Sequence, residues 1–157
     1  MKKFGTVFLL AVIFLASCKK DDATTVTSTI TPSVGITEIN IGQTVQNLVD
    51  KLGAGLDNEF SINNVYTFSK TYLDKGITVQ FESTSKSKLE STMKISEILL
   101  SSPYTGVTSK GIKIGSKKAD VTAAYGTPIS TFFGDEYAGI LFDYDSGNLV
   151  ESITVSK

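Results

Sequence analysis

Four groupings in this 157-residue sequence put side chains capable of chemistry at spacings that chemistry uses. Ser85-Lys86-Ser87-Lys88 and Ser91-Thr92-Met93-Lys94 each hold Ser-x-x-Lys, the spacing of an acylating serine and its lysine. That pair works from the first turn of a buried helix, whereas these residues fall in a polar turn and a strand pattern. Gly53-Ala54-Gly55 begins like a nucleotide loop, but it follows a helical pattern and Asn58 stands where the third glycine belongs, so it reads as a helix stop. Asp143, Asp145, Asn148 and Glu151 are oxygen ligands of the kind calcium takes. Their spacing is not that of an EF-hand, and Asp145-Ser146-Gly147-Asn148 reads as a hairpin turn. Asp135 and Glu136 beside Asp143 would make an acid pair, but Gly134-Asp135-Glu136 reads as a loop tip. The expectation is no catalytic residue, no metal and no cofactor.

Absences narrow the field further. There is no His, no Trp and one Cys, and all 15 basic residues are Lys. That removes a histidine base, His-liganded zinc, a two-cysteine redox centre and any arginine clamp on phosphate or carboxylate. A net charge of −1 gives no global reason to bind nucleic acid, and none is expected as a partner.

The elements that would position any site begin after a targeting segment. Lys2 and Lys3 precede an apolar run, Val7 to Ala16, too short for the ~20 residues of a membrane-spanning helix. It fits the apolar core of a signal peptide over residues 1–17. Leu15-Ala16-Ser17-Cys18 resembles the lipobox of bacterial lipoproteins. The resemblance implies lipidation of Cys18, cleavage before it and acylation of the new N-terminus, leaving no free thiol. Lys19-Lys20-Asp21-Asp22 resembles a surface-export signal of lipoproteins in one group of Gram-negative bacteria. The implied address is the outer membrane, with its outer leaflet favoured and the periplasmic face as the alternative. From Cys18 to Gly35 the composition is that of a flexible tether, and residues 36–157 have the size of one domain.

That domain reads as a duplication. Ile39-Asn40-Ile41-Gly42 leads into an apolar stripe at Val45, Leu48, Val49 and Leu52, the spacing of a helix closed by Gly53. Ile112-Lys113-Ile114-Gly115 leads into Val121, Tyr125 and Gly126 at a constant offset of 73, and Pro128 forbids continuation. Ile77, Val79 and Phe81 match Ile140, Phe142 and Tyr144 at an offset of 63. Leu89, Met93 and Ile95 match Leu149, Ile153 and Val155 at 60. Repeat one spans about 36–100 and repeat two about 109–157, joined by Ser101 to Lys110. The expected architecture is α+β: two strand-helix-meander repeats forming one antiparallel sheet with helices packed on one face. Thr44 is a capping residue and Asn47 replaces the usual acid, so neither helix is expected to carry a complete capping box.

The Ile-x-Ile-Gly and Asp120-Val121, Tyr125-Gly126, Pro128 pattern resembles a superfamily of small envelope proteins. It includes the small lipoprotein subunit of the outer-membrane β-barrel assembly machine and the tandem-repeat β-lactamase inhibitor proteins. The resemblance implies a non-catalytic protein that binds another protein or an envelope component.

Two features suggest where. Tyr66, Phe68 and Tyr72 share one face of a strand, and Phe132, Phe133 and Tyr137 occupy the corresponding region of repeat two. Most of these aromatics are expected in the core and some on an open sheet face, as anchors for a protein or glycan. Lys110, Lys113, Lys117 and Lys118 gather at the second strand-helix junction, where Lys117 and Lys118 oppose the helix macrodipole and suit an acidic or anionic surface. The reading is an outer-membrane-anchored lipoprotein binding module. A periplasm-facing envelope-assembly accessory is the alternative, and a hydrolase using Asp/Glu or Ser/Lys is the remaining class.

Overall fold

The computed structural model describes residues 28–157. The signal peptide over 1–17, the lipidation at Cys18 and the tether as far as residue 27 lie outside the described residues. The tether was expected to run to residue 35, but order begins sooner. Thr29–Thr31 forms β1 with Ile30 completely buried. One isoleucine among threonines and serines sets up no period, so composition alone hides a three-residue strand.

Along the chain follow β2 (Gly35–Ile36), α1 (Val45–Leu52), β3 (Leu56–Ile62), β4 (Val65–Tyr72), β5 (Ile77–Phe81) and β6 (Ile95–Ser101). Then come β7 (Val107–Thr108), α2 (Lys118–Tyr125), β8 (Asp135–Tyr137), β9 (Ile140–Tyr144) and β10 (Val150–Ser156). β1 pairs antiparallel with β2 and parallel with β7 in one small sheet. The other strands form a seven-stranded antiparallel sheet in the order β3-β4-β5-β6-β10-β9-β8.

This corrects the expected α+β architecture. Among the described residues the protein is predominantly β, with ten strands in two sheets, and its two helices are eight residues each, not a helical layer. Gly53 and Gly126, at φ 87° and 82°, stop each helix after about two turns, too short to be stable without tertiary contacts. The helices bury Val45, Leu48 and Val121, while strand alternation supplies most of the core. The strand expected before each helix is absent too. Ile39 and Ile112 are buried, but the chain turns at once through Gly42 and Gly115, at φ 84° and 82°.

The main chain nevertheless repeats its bonding. Gly42 N–H donates to Ile95 O and Gly115 N–H to Val150 O, both at 2.8 Å. Tyr72 Oη donates to Gly53 O at 2.9 Å and Tyr137 Oη to Gly126 O at 3.2 Å. Strand order mirrors about the β6–β10 seam, so that β4-β5-β6 faces β10-β9-β8. Pairing of β5 with β6 and of β9 with β10 equates Ile98 with Ile153 and Leu100 with Val155, a difference of 55. The offset of 60 for this segment is therefore corrected: Leu89 and Met93 lie before β6, in a Ser- and Lys-rich loop with no period to mark the slip. β3 extends only the first half.

Faces follow from register, because residues directly opposite in an antiparallel pair share a side. Tyr72 pairs with Ile77, and Ile77, Val79 and Phe81 are buried, so Phe68, Lys70 and Tyr72 face the core as well. Ile98, Leu100, Ile153, Val155, Ile140 and Phe142 continue that surface across the sheet. Ile30, Ile36 and Ile39 join the same core cluster, placing β1 and β2 against the inward face. The opposite face stays open. It carries Thr67, Ser69 and Thr71 on β4, Thr78 and Gln80 on β5, Glu97 and Leu99 on β6, and Ser152 and Thr154 on β10, all partly accessible.

Candidate functional site

The outer face of the seven-stranded sheet has no strand or helix packed over it among the described residues. Its chemistry is hydroxyl, amide and carboxylate, with Leu56, Phe60, Ile62, Leu99 and Leu141 as its apolar part. Glu97, Glu136 and Asp143 point to this side, and the one lysine within a strand, Lys70, points away from it. Near one edge, Asn58, Glu59, Phe60, Thr67, Ser69 and Gln80 line a shallow cavity of ≈370 Å³. Thr67 and Ser83 share a hydroxyl hydrogen bond of 2.8 Å beside it, and Asn58 Nδ2 donates to Thr71 Oγ1 at 3.3 Å. Phe60 is 63% exposed, an apolar ring beside amides and hydroxyls.

Glu97 stands half-buried in the middle of this face, and desolvation holds its carboxyl above the usual glutamate range. The folded state therefore keeps the proton to higher pH than the unfolded state, and folding stability declines as pH rises through that window. Glu97→Gln is expected to raise stability at pH 7 by roughly 0.5 kcal/mol and to change nothing at pH 3, where both states are protonated. Urea midpoints at the two pH values check this.

The aromatic residues divide. Phe68, Tyr72 and Tyr137 are core residues, so they are not open-face anchors. Tyr66 is half-buried, its ring 6.3 Å from that of Phe68 and nearly parallel to it. Of the six expected anchors only Phe132 and Phe133 project, 83% and 77% exposed, as an edge-on pair 4.6 Å apart. They sit in a loop closed by the Ser130–Glu136 bridge, with Ile129 exposed beside them. The turn Leu73 to Gly76 contained the signal for the buried set: a four-residue connection forces Tyr72 opposite Ile77.

The lysines disperse as well. Lys110 Nζ donates to Ala124 O at 2.9 Å and lies 4.3 Å above the Tyr125 ring, at the C-terminal end of α2, where a cation suits the helix dipole. Lys117 stays exposed at the N-cap and makes no side-chain cap bond; Lys113 is exposed too. Lys118 turns inward. Its Nζ donates to Asp135 Oδ1 at 2.9 Å and lies 4.6 Å from the Tyr144 ring centre. Tyr144 Oη donates to Asp135 Oδ2 at 2.8 Å, and burial with that bond pushes the phenol above the ordinary tyrosine range. Asp135 is 2% exposed and begins β8, which corrects its reading as part of a loop tip. With both oxygens engaged and Glu136 on the opposite face, it clamps α2 to the sheet and forms no acid pair.

Lys70 is the other buried charge. Its Nζ donates to Asp57 Oδ1 and Ala54 O, tying β3 to β4 and to the segment after α1. Lys70 and Asp135 lie two residues before Tyr72 and Tyr137, so equivalent inward positions carry opposite charges. Asp145 Oδ1 accepts from Gly147 N–H at 2.8 Å and Leu149 N–H at 2.9 Å, so its carboxylate is occupied by its own turn. α1 does carry a complete capping box, contrary to expectation. Asn47 N–H donates to Thr44 Oγ1 while Thr44 N–H donates to Asn47 Oδ1, each at 3.3 Å.

No family model matches the chain, and no curated protein matches it in sequence. Among solved structures, a cysteine-rich secretory protein from Staphylococcus aureus aligns at 15% identity over 74% of this chain and 44% of its own, with a TM-score of 0.46. The chain thus spans less than half the length of that protein, and a likeness of this degree carries no argument about function.

Proposed function

We propose that this protein is a non-catalytic lipoprotein, anchored to the outer membrane through Cys18, that binds a protein or envelope glycan on the open sheet face. The observation that carries the reading is that face: seven strands wide, free of lysine, and lined by hydroxyls, amides and carboxylates beside the apolar side chains of Leu56, Phe60, Ile62, Leu99 and Leu141. Such a surface favours a neutral or basic partner rich in hydrogen-bonding groups and disfavours nucleic acid. The lipobox-like Leu15-Ala16-Ser17-Cys18 and the resemblance to envelope binding proteins support the anchor and the absence of catalysis.

Photo-crosslinkers at Gln80 and Thr154 in intact cells test the proposal. Adducts with one protein or glycan are expected, and Thr78→Lys should cut their yield about tenfold, a loss of ~1.4 kcal/mol in binding. Cys18→Ser should release the protein from the membrane fraction. Absence of adducts from both positions would overturn the binding reading, and continued membrane retention of Cys18→Ser would overturn the anchor. Protease added to whole cells distinguishes surface display from the periplasmic face.

A further inference from the structure

The two edges of the seven-stranded sheet are treated differently. β8 is a three-residue edge, and Ser130 bridges to Glu136 on its outer side. β3 is a seven-residue edge with every residue exposed, no Pro, no Lys, and an unbroken register against β4. Among the described residues nothing pairs with its outer side, and Leu56, Phe60 and Ile62 project from it 57–63% exposed. Edges in soluble proteins are normally shortened, bulged, charged or covered; β3 is long, unbulged and uncovered, and its only charges are the carboxylates Asp57 and Glu59.

We propose that β3 pairs antiparallel with β3 of a second copy, joining two seven-stranded sheets into one. A two-fold axis perpendicular to the sheet brings like faces together, so paired residue numbers must share parity. Registers that keep at least five strand residues paired centre on Asn58, Glu59 or Phe60. Centring on Asn58 sets Asp57 against the partner's Glu59, and centring on Glu59 sets that carboxylate against itself, both unfavourable. Centring on Phe60 sets Phe60 against the partner's Phe60, Asn58 against the partner's Ile62 and Glu59 against the partner's Ser61. Charge selects this register, which stacks Phe60 on the partner's Phe60 and leaves Ile62 against an amide.

The same axis satisfies a second requirement. β1 and β2 lie against the inward face, so β1 of both copies lies on the same side of the joined sheet. Two molecules tethered in one membrane leaflet need that arrangement. Both open faces then point the other way, so the partner-binding surface of the preceding proposal stays uncovered.

The test uses the full chain in cell membranes, with cysteines introduced on β3 and brief oxidation. Phe60→Cys is expected to give a disulfide-linked homodimer, as is co-expression of Asn58→Cys with Ile62→Cys on differently tagged copies. Asn58→Cys alone is expected to stay monomeric, which also sets the background from Cys18. Monomer from Phe60→Cys, or equal dimer from Asn58→Cys alone, would overturn the proposal. So would a product whose mass identifies a different protein on this edge. None of these outcomes depends on whether crosslinkers at Gln80 and Thr154 find a partner.

Discussion

Lys118→Met is expected to destabilise the fold by about 3–5 kcal/mol at neutral pH, among the largest effects of any single substitution away from the apolar core. The cost does not come from the exposed part of the lysine, whose side chain is 43% accessible. It comes from Asp135, 2% exposed, which would keep only the Tyr144 hydroxyl as a donor and hold an unpaired charge where water cannot reach it. Asp135→Asn removes the charge and retains an acceptor for Tyr144, so it should cost less, about 1–3 kcal/mol. The combination Lys118→Met with Asp135→Asn should then be markedly more stable than Lys118→Met alone. Urea unfolding followed by far-ultraviolet circular dichroism gives all three values. A double variant as unstable as the sum of the singles would show that the clamp between α2 and the sheet is not electrostatic.

That clamp also shows where sequence reading reached its limit. α1 was readable because Val45, Leu48, Val49 and Leu52 mark one face locally and Thr44 caps it. The position of Asp135 was not readable, because an inward-facing carboxylate breaks the apolar alternation that identifies a strand. Its compensating lysine stands 17 residues earlier in the chain. Lys70 hides in the same way between Phe68 and Tyr72, neutralised from a neighbouring strand by Asp57. β3 was obscured for a different reason: its apolar side chains face solvent, so Leu56, Phe60 and Ile62 form an alternation with no core to explain it. The open face was predicted but furnished with the wrong side chains. Some of the aromatics sharing one face of β4 were expected on it, whereas the four-residue turn to β5 commits Phe68 and Tyr72 to the core. What remains for the open face is mainly hydroxyl, amide and carboxylate groups, with Phe60 as its exposed ring.

Phe142→Ala is expected to cost about 3–5 kcal/mol, a large fraction of the 5–15 kcal/mol that holds a domain of this size together. Phe142 is fully buried, with ring centres of Tyr125 at 5.1 Å and Tyr137 at 6.0 Å, both tilted against it. It faces Ile153 across β10 and Asp135 across β8, so one side chain joins the seam, the helix α2 and the edge of the second half. Truncation would leave a cavity that β8, three residues long, has no spare side chain to fill. Val79, which occupies the equivalent place in the first half, has the long strands β4 and β6 on either side. Val79→Ala should therefore cost less, about 1–3 kcal/mol, because fewer atoms are removed. Phe142→Leu should recover most of the loss, leaving about 1.5 kcal/mol or less. Urea midpoints for the three variants decide the matter, with the slope unchanged if unfolding stays two-state. The sizes of the deleted side chains set the expected inequality, and equal costs would mean that the Phe142 site collapses around the lost ring instead of keeping a cavity.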